Sequence, residues 1–179
     1  MGRFFSLVQI KNNGSREQFL KAFCDVMKKR SLVPCSEKES SVSYILAFSE
    51  SGKWVTLASK EYRDNPKQVK DDAKQTAAEM KTSSFSMDVV DSDWTYIELH
   101  TGADVHDTVM VGRSEFDEEH SPKGRRECWE PILAPGKTWE QISEIWNKNE
   151  VFVEDALYEA ASVLGIEPKY MVSDYEDFE

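Results

Sequence analysis

Residues 84–112, SFSMDVVDSDWTYIELHTGADVHDTVMVG, restrict the possible fold more than any other stretch of the chain. Apolar residues alternate along this block. It is interrupted at Asp91-Ser92-Asp93 and again at Gly102, so it reads as two or three adjoining strands. A block of this kind is expected near the middle of a sheet, with the remaining elements packed against it.

Upstream, residues 3–10 form a short apolar run closed by Asn12-Asn13-Gly14, the pattern of a buried strand and a turn. Ser15 then opens a helix, and Gln18 three residues later completes a capping box. Phe19, Leu20, Phe23, Val26 and Met27 recur at helical spacing. Lys28-Lys29-Arg30 fall in the last turn, where cations oppose the negative end of the helix dipole. After a polar loop at 34–43, residues 44–59 read as a hairpin turning at Ser51-Gly52. Pairing Glu50 with Lys53 sets Phe48 opposite Val55 and Leu46 opposite Leu57 on one face. Ile45, Ala47, Trp54, Thr56 and Ala58 are left on the other. Both faces are partly apolar, so each needs a cover. Asn65-Pro66 begins a second helix with a narrow stripe of Val69, Ala73, Ala77 and Met80.

The order β-α-β-β-α-β-β followed by helices predicts an α+β fold. Its sheet is antiparallel, with split-βαβ character and two helices on one face. Residues 44–62 and 87–99, with their hairpin, helix and Asp-Ser-Asp strand, also resemble segments of small bacterial α+β proteins of no characterised family. That resemblance implies the fold and brings no activity with it. Residues 113–126 are a charged loop punctuated by Pro and Gly. Beyond it, Thr138 caps a helix bearing Trp139, Ile142, Ile145 and Trp146. A further helix over 152–164 carries Phe152, Leu157, Ala160, Ala161 and Leu164, and ends at Gly165 with Pro168 beyond. Two tryptophans on so short a helix need a large apolar surface, and the second face of the hairpin, with Ile45 and Trp54, is expected to supply it. The chain is therefore expected to be one domain: an α+β core over 1–112, the loop 113–126, and a helical extension 127–179 packed on the core.

Composition enters the argument through charge. Residues 1–82 hold 15 Lys and Arg against 10 Asp and Glu, a net of +5; residues 83–179 hold 7 against 23, a net of -16; together these give -11. Such asymmetry between halves points to a partner of opposite charge. No apolar run is long enough for a membrane span, and residues 1–10 are too soon followed by Lys11 to read as a secretory signal. Three cysteines without regular spacing suit a reducing compartment, so a cytoplasmic location is expected.

Phosphate loops, zinc-ligand spacings and nucleophile motifs are all missing from the sequence, and no cofactor is called for. His100 and His106 flank a turn. Centred on Ala103, that turn sets the two imidazoles across a hairpin with Glu98 as a third ligand, the pattern of a metal-dependent hydrolase. The same register sends Asp107 to the apolar Val105/Val109/Val111 face, which counts against it. Asp88, Asp91 and Asp93 cluster as paired catalytic carboxylates do, yet turn chemistry accounts for Asp91-Ser92-Asp93 more simply. Cys128 follows Arg125-Arg126, which favour a thiolate, and His120 is a conceivable base. Glu127 and Glu130 offset that charge, and flanking Trp129 and Pro131 favour a structural thiol. Cys24 falls on the apolar side of the first helix, and Cys35 has no evident role. Arg16, Lys21, Lys28, Lys67, Lys70 and Lys74 offer a weak nucleic-acid patch, diluted by Asp25, Asp71 and Asp72 and lacking an aromatic platform.

These readings weigh against an enzyme and towards a binding protein whose acidic C-terminal half engages a basic macromolecular partner. Phe116, Trp129 and Tyr175 are the expected anchors, with Glu118, Glu119, Asp174 and Glu176 supplying charge. An immunity protein that blocks a basic toxin has a composition of this kind. The competing expectation is that the acidic tail folds back onto Lys28-Lys29-Arg30. Nothing in the sequence sets an oligomeric state.

Overall fold

A computed structural model describes residues 2–33, 35, 42–102, 104–112, 122–148 and 152–178. The elements are β1 (Phe5–Lys11), α1 (Arg16–Lys29), β2 (Tyr44–Phe48), β3 (Trp54–Ser59), α2 (Pro66–Met80), β4 (Ser83–Val90), β5 (Trp94–Thr101) and β6 (Asp104–Gly112). Three helices follow, α3 (Arg126–Trp129), α4 (Trp139–Trp146) and α5 (Val153–Leu164). The strands form one antiparallel sheet in the order β2-β3-β1-β4-β5-β6. The fold is α+β. β1 lies between β3 and β4, the arrangement of a split βαβ unit, and β5 and β6 extend it as a meander. The 84–112 block therefore supplies three strands that run from the middle of the sheet to one edge, and β1 and β4 form its centre.

The local devices act where their residues stand. Ser15 Oγ accepts the Gln18 N–H at 3.2 Å, and the Gln18 side chain accepts the Ser15 N–H at 2.8 Å. Thr138 and Gln141 repeat the same box on α4. Asn65 caps α2 with Pro66 at its first position. Gly165 ends α5 at φ +78°, a left-handed conformation that a residue with a Cβ resists. In the β2–β3 hairpin, Phe48 pairs with Val55 and Leu46 with Leu57, as expected. Asp91 and Ser92 take left-handed φ values of 51° and 60° between β4 and β5, and the Asp93 N–H returns to the Val90 carbonyl at 3.0 Å.

Each face of the sheet carries its own core. Under α1 and α2, Val8, Ile10, Val55 and Leu57 meet Phe19, Phe23, Val26, Met27, Val69 and Ala73. On the opposite face, Leu7, Phe85, Met87, Ile97, Leu99, Val109 and Val111 meet Trp129, Ile142, Trp146, Leu157, Ala160 and Leu164. An aromatic series crosses this second core. Trp54 to Phe85 is 5.6 Å between ring centroids, Phe85 to Trp129 5.8 Å, Trp129 to Trp146 4.5 Å and Trp146 to Trp139 6.0 Å.

The cover of the hairpin differs from expectation. α4, with its two tryptophans, packs on β6 and α5. The second face of the hairpin is closed by the end of α5, where Trp54 Nε1 donates to the Leu164 carbonyl at 2.9 Å, and by the 3-10 turn Tyr175–Phe178. Connectivity is the reason. The chain leaves the sheet at β6, so its first helices cover the nearest strands, and only the last residues reach β2 and β3. Among the described residues, no helix is long and apolar enough to cross a membrane.

Candidate partner-binding face

α5 buries Val153, Ala156, Leu157, Ala160, Ala161 and Leu164 against the sheet. Asp155, Tyr158, Glu159 and Ser162 face outward. Tyr158 is 57% exposed and Phe152, just before the helix, is 55% exposed; they are the two most exposed aromatics among the described residues. Glu159 pairs with Lys148 on α4, and Glu154 accepts from Ser92 Oγ at 2.6 Å.

Tyr158 also lines an open groove of about 660 Å³ together with Arg3, Glu50, Glu167, Lys169 and Asp177. Arg3 fixes one wall, donating to the Val172 carbonyl at 3.0 Å and to Asp177 Oδ2 at 2.6 Å. Asp177 is held below its ordinary pKa by the Asp174 N–H, 2.7 Å away, and by Arg3, against the opposing effect of burial. On the other wall, Glu167 accepts the Glu50 N–H. The Asp91-Ser92 turn anchors the whole region. Ser92 Oγ accepts the Arg3 N–H at 2.8 Å, and the Ser92 carbonyl accepts the Val153 N–H at 2.8 Å.

The anchors expected from sequence are distributed otherwise. Trp129 is 0% exposed; its Nε1 donates to Asp107 Oδ2 at 2.9 Å, and it is a core residue, not a surface anchor. Tyr175 is buried too, with its hydroxyl 2.8 Å from Ser43 Oγ and the Lys60 ammonium 5.0 Å from its ring centre. Asp174 is half-buried and accepts the Tyr175 N–H at 2.6 Å, while Glu176 is exposed. Phe116, Glu118 and Glu119 lie outside the described residues. The tail packs on β2 and on Arg3, away from the basic end of α1. There Lys28 pairs with Asp25 at 3.3 Å, Lys29 with Glu79 and Arg30 with Asp72. Tyr158 was not singled out in the sequence, although one signal marks it. At 100° per residue it falls off the stripe of Leu157, Ala160, Ala161 and Leu164, on the flank of Asp155, Glu159 and Ser162.

The catalytic candidates do not converge. Glu98 lies 3.8 Å from His100 Nε2, pairs with Lys70, and stands beside Tyr96, whose ring the Lys70 ammonium overlies at 4.8 Å. His106 is exposed, while His100 is buried. The register slips between Leu99 and His100, so Val105, not His106, stands opposite His100. His106 is the extra residue at this slip, while Asp107 keeps its expected place opposite Leu99 on the apolar face, where it accepts from Trp129 and from the Arg125 N–H at 2.7 Å. Among the described residues, no group of three His, Cys, Asp or Glu side chains is placed to hold a metal ion. Asp88 accepts from Ser6 Oγ at 2.6 Å, and Asp91 from the Gly2 N–H at 2.9 Å. Cys128 is buried, and burial, reinforced by Asp107, pushes its thiol pKa up against the pull of Arg125. Arg126 is turned away towards Glu130 and Glu140, and His120 lies outside the described residues.

One buried carboxylate, Asp72, is the centre of a cluster that no local pattern marks. Asp72 Oδ1 accepts from Arg30 and from Gln68 Nε2 at 2.6 Å; its Oδ2 accepts from Tyr62 at 2.7 Å and Tyr44 at 3.1 Å. Burial first, then Asp72, pushes Tyr44 up to about 12 and Tyr62 well above its ordinary value. With four donors already on the carboxylate, the cluster locks α1 to α2 and offers little to a substrate. Compared with protein-family models, with curated proteins and with solved structures, the chain matches none.

Proposed function

We propose that this protein is a binding module whose acidic C-terminal half engages a basic macromolecular partner through the outward flank of α5. The observation that carries the reading is Tyr158, exposed beside Asp155 and Glu159 at the rim of the groove with Glu50 and Glu167. The net charge of residues 83–179, 7 cations against 23 acids, speeds encounter with a basic surface. Tyr158 and Phe152 then supply the desolvated anchors that charge alone cannot. An immunity-type role against a basic toxin fits this chemistry. Against the metal-dependent hydrolase reading, Val105 and not His106 stands opposite His100, and of the residues read as a nucleic-acid patch Lys28 pairs with Asp25 and Lys70 with Glu98.

Capture from native cell extract by the full chain tests the proposal. A basic protein should be retained at low salt and released at 0.5 M salt, where the Debye length falls to about 4 Å. Tyr158→Ala, and the double reversal Asp155→Lys/Glu159→Lys, should each abolish retention while leaving the circular dichroism spectrum unchanged. Retention indifferent to these changes, or of nucleic acid alone, would refute it.

A further inference from the structure

The two edges of the sheet are finished differently. Along β6, the chain covers its own edge: the Met110 N–H donates to the Pro122 carbonyl at 2.7 Å, and Val109 pairs with Lys123 in an isolated antiparallel bridge. Along β2, no described residue pairs with the outer side of Tyr44–Phe48. Within the strand itself, several of the devices that keep an open edge from pairing are missing. Its sequence, YILAF, holds no charge, no proline and no glycine, and its register with β3 runs without a bulge. All five residues are half-buried, whereas every residue of β3 is buried.

We infer that the β2 edge pairs with the β2 edge of a second copy of this chain, joining two six-stranded sheets across a two-fold axis at Leu46. The occupant follows from the self-complementarity of the strand. An isologous antiparallel pair sets residue i opposite j and j opposite i. Centred on Leu46, it places Tyr44 opposite Phe48, Ile45 opposite Ala47, and Leu46 opposite itself. Residues directly opposite share a face. Tyr44, Leu46 and Phe48 all pack against the core under α1 and α2, and Ile45 packs against the other core. Aromatic thus meets aromatic, large meets small, and no charge meets its own copy.

The helix above the edge fits the same partner. Phe19 packs edge-on to Phe48 with centroids 5.4 Å apart, and Phe23 to Tyr44 at 6.3 Å, so α1 runs antiparallel to β2 directly over it. The Lys29 pair with Glu79 marks the flank of α1 that faces α2. Leu20 and Cys24 follow at helical spacing on the opposite flank, where Arg16 reaches the Phe48 ring, 4.8 Å from its centre. Leu20, 38% exposed, then lies near the two-fold axis and meets its counterpart there. A strand of five residues with one helix flank makes a small interface, so the dimer should form at micromolar rather than nanomolar concentration. This surface is separate from the α5 flank, and the inference is independent of the proposed function.

Sedimentation velocity of the full chain, from low micromolar to submillimolar concentration, tests it together with hydrogen exchange. The wild-type chain should pass from monomer to dimer, with amide exchange over 44–48 slowing as the dimer fills. Leu46→Lys and Leu46→Glu, each placing like charges on the axis, should be monomeric alone, and an equimolar mixture should restore the dimer. If the Leu46 variants do not fold, Leu20→Lys and Leu20→Glu on the exposed flank of α1 provide the same charge test. A wild-type chain that stays monomeric throughout overturns the inference. So does a dimer indifferent to these charges, or one without added protection at 44–48.

Discussion

The two faces of the sheet solve the problem of cover in different ways. Under α1 and α2, polar groups are buried along with the apolar stripe. Asp72 gathers four donors, Ser84 Oγ donates to the Ala73 carbonyl at 2.6 Å, and Ser86 lies buried beside it. Under α3 to α5, the face is mostly apolar and aromatic, with Gln9, Thr56 and Thr95 buried among the rings and the Asp107 carboxylate at the foot of Trp129. A buried carboxylate tolerates one arrangement of its donors, so the first face holds α1 and α2 in a defined register. The second face gains instead from buried area and ring contacts, which are larger and less directional. The core that the sheet shares with the helical extension is the larger of the two.

The contrast is broken most directly by Trp129→Ala. Losing that indole should cost about 3–5 kcal/mol, since it vacates the space between Phe85 and Trp146 and removes a donor from Asp107. Guanidinium denaturation measures this, and a loss near 1 kcal/mol would mean that the sheet holds without its second cover. Asp72→Asn probes the other face. The amide keeps the shape but loses the charge that holds Arg30 and two tyrosines, for an expected cost of about 1–3 kcal/mol.

The same pair of variants separates the faces by pH. Tyr44 titrates at about 12 in the folded chain, and Tyr62 is also raised. Unfolded tyrosines titrate near ~10, so the folded state holds more protons above that pH. The stability tied to these hydroxyls is complete below the unfolded value and drains away as pH climbs towards the folded one. Asp72→Asn should flatten this alkaline decline, whereas Trp129→Ala should shift the whole curve down and leave its slope. Equal slopes in all three proteins would remove Asp72 as the cause.

The smallest effect is expected at the surface. Tyr158→Ala and Phe152→Ser should change stability by no more than about 0.5 kcal/mol, because neither ring has a core to leave. A larger loss in thermal or chemical melts would show that these rings pack at home instead of awaiting a partner.

Legibility in the sequence tracked the range of the interaction. The box of Ser15 and Gln18, the cap of Asn65 before Pro66, and the pairing of Phe48 with Val55 all rest on residues close in the chain, and all are read directly from it. The candidate site was legible only in part. Glu98 stands 3.8 Å from His100 Nε2, but the expected pairing of His100 with His106 is replaced by His100 with Val105, because a register slip after Leu99 leaves His106 as an extra residue beside the turn. Trp129, flanked by charges in the sequence, looked exposed because its burial depends on Phe85 and Trp146, which no local pattern connects.

By itself, then, the sequence determined the kinds of element, their caps, the register of the first hairpin and the division of charge between the halves, since each is set within a few residues. The tertiary structure alone decided which polar groups meet across the strand order, as where Ser6 on β1 donates to Asp88 on β4. It also decided that the tail closes on the start of the chain, where Arg3 meets Asp177. Closing loops of that length costs chain entropy that only the two assembled cores repay, so no segment read in isolation carries the answer.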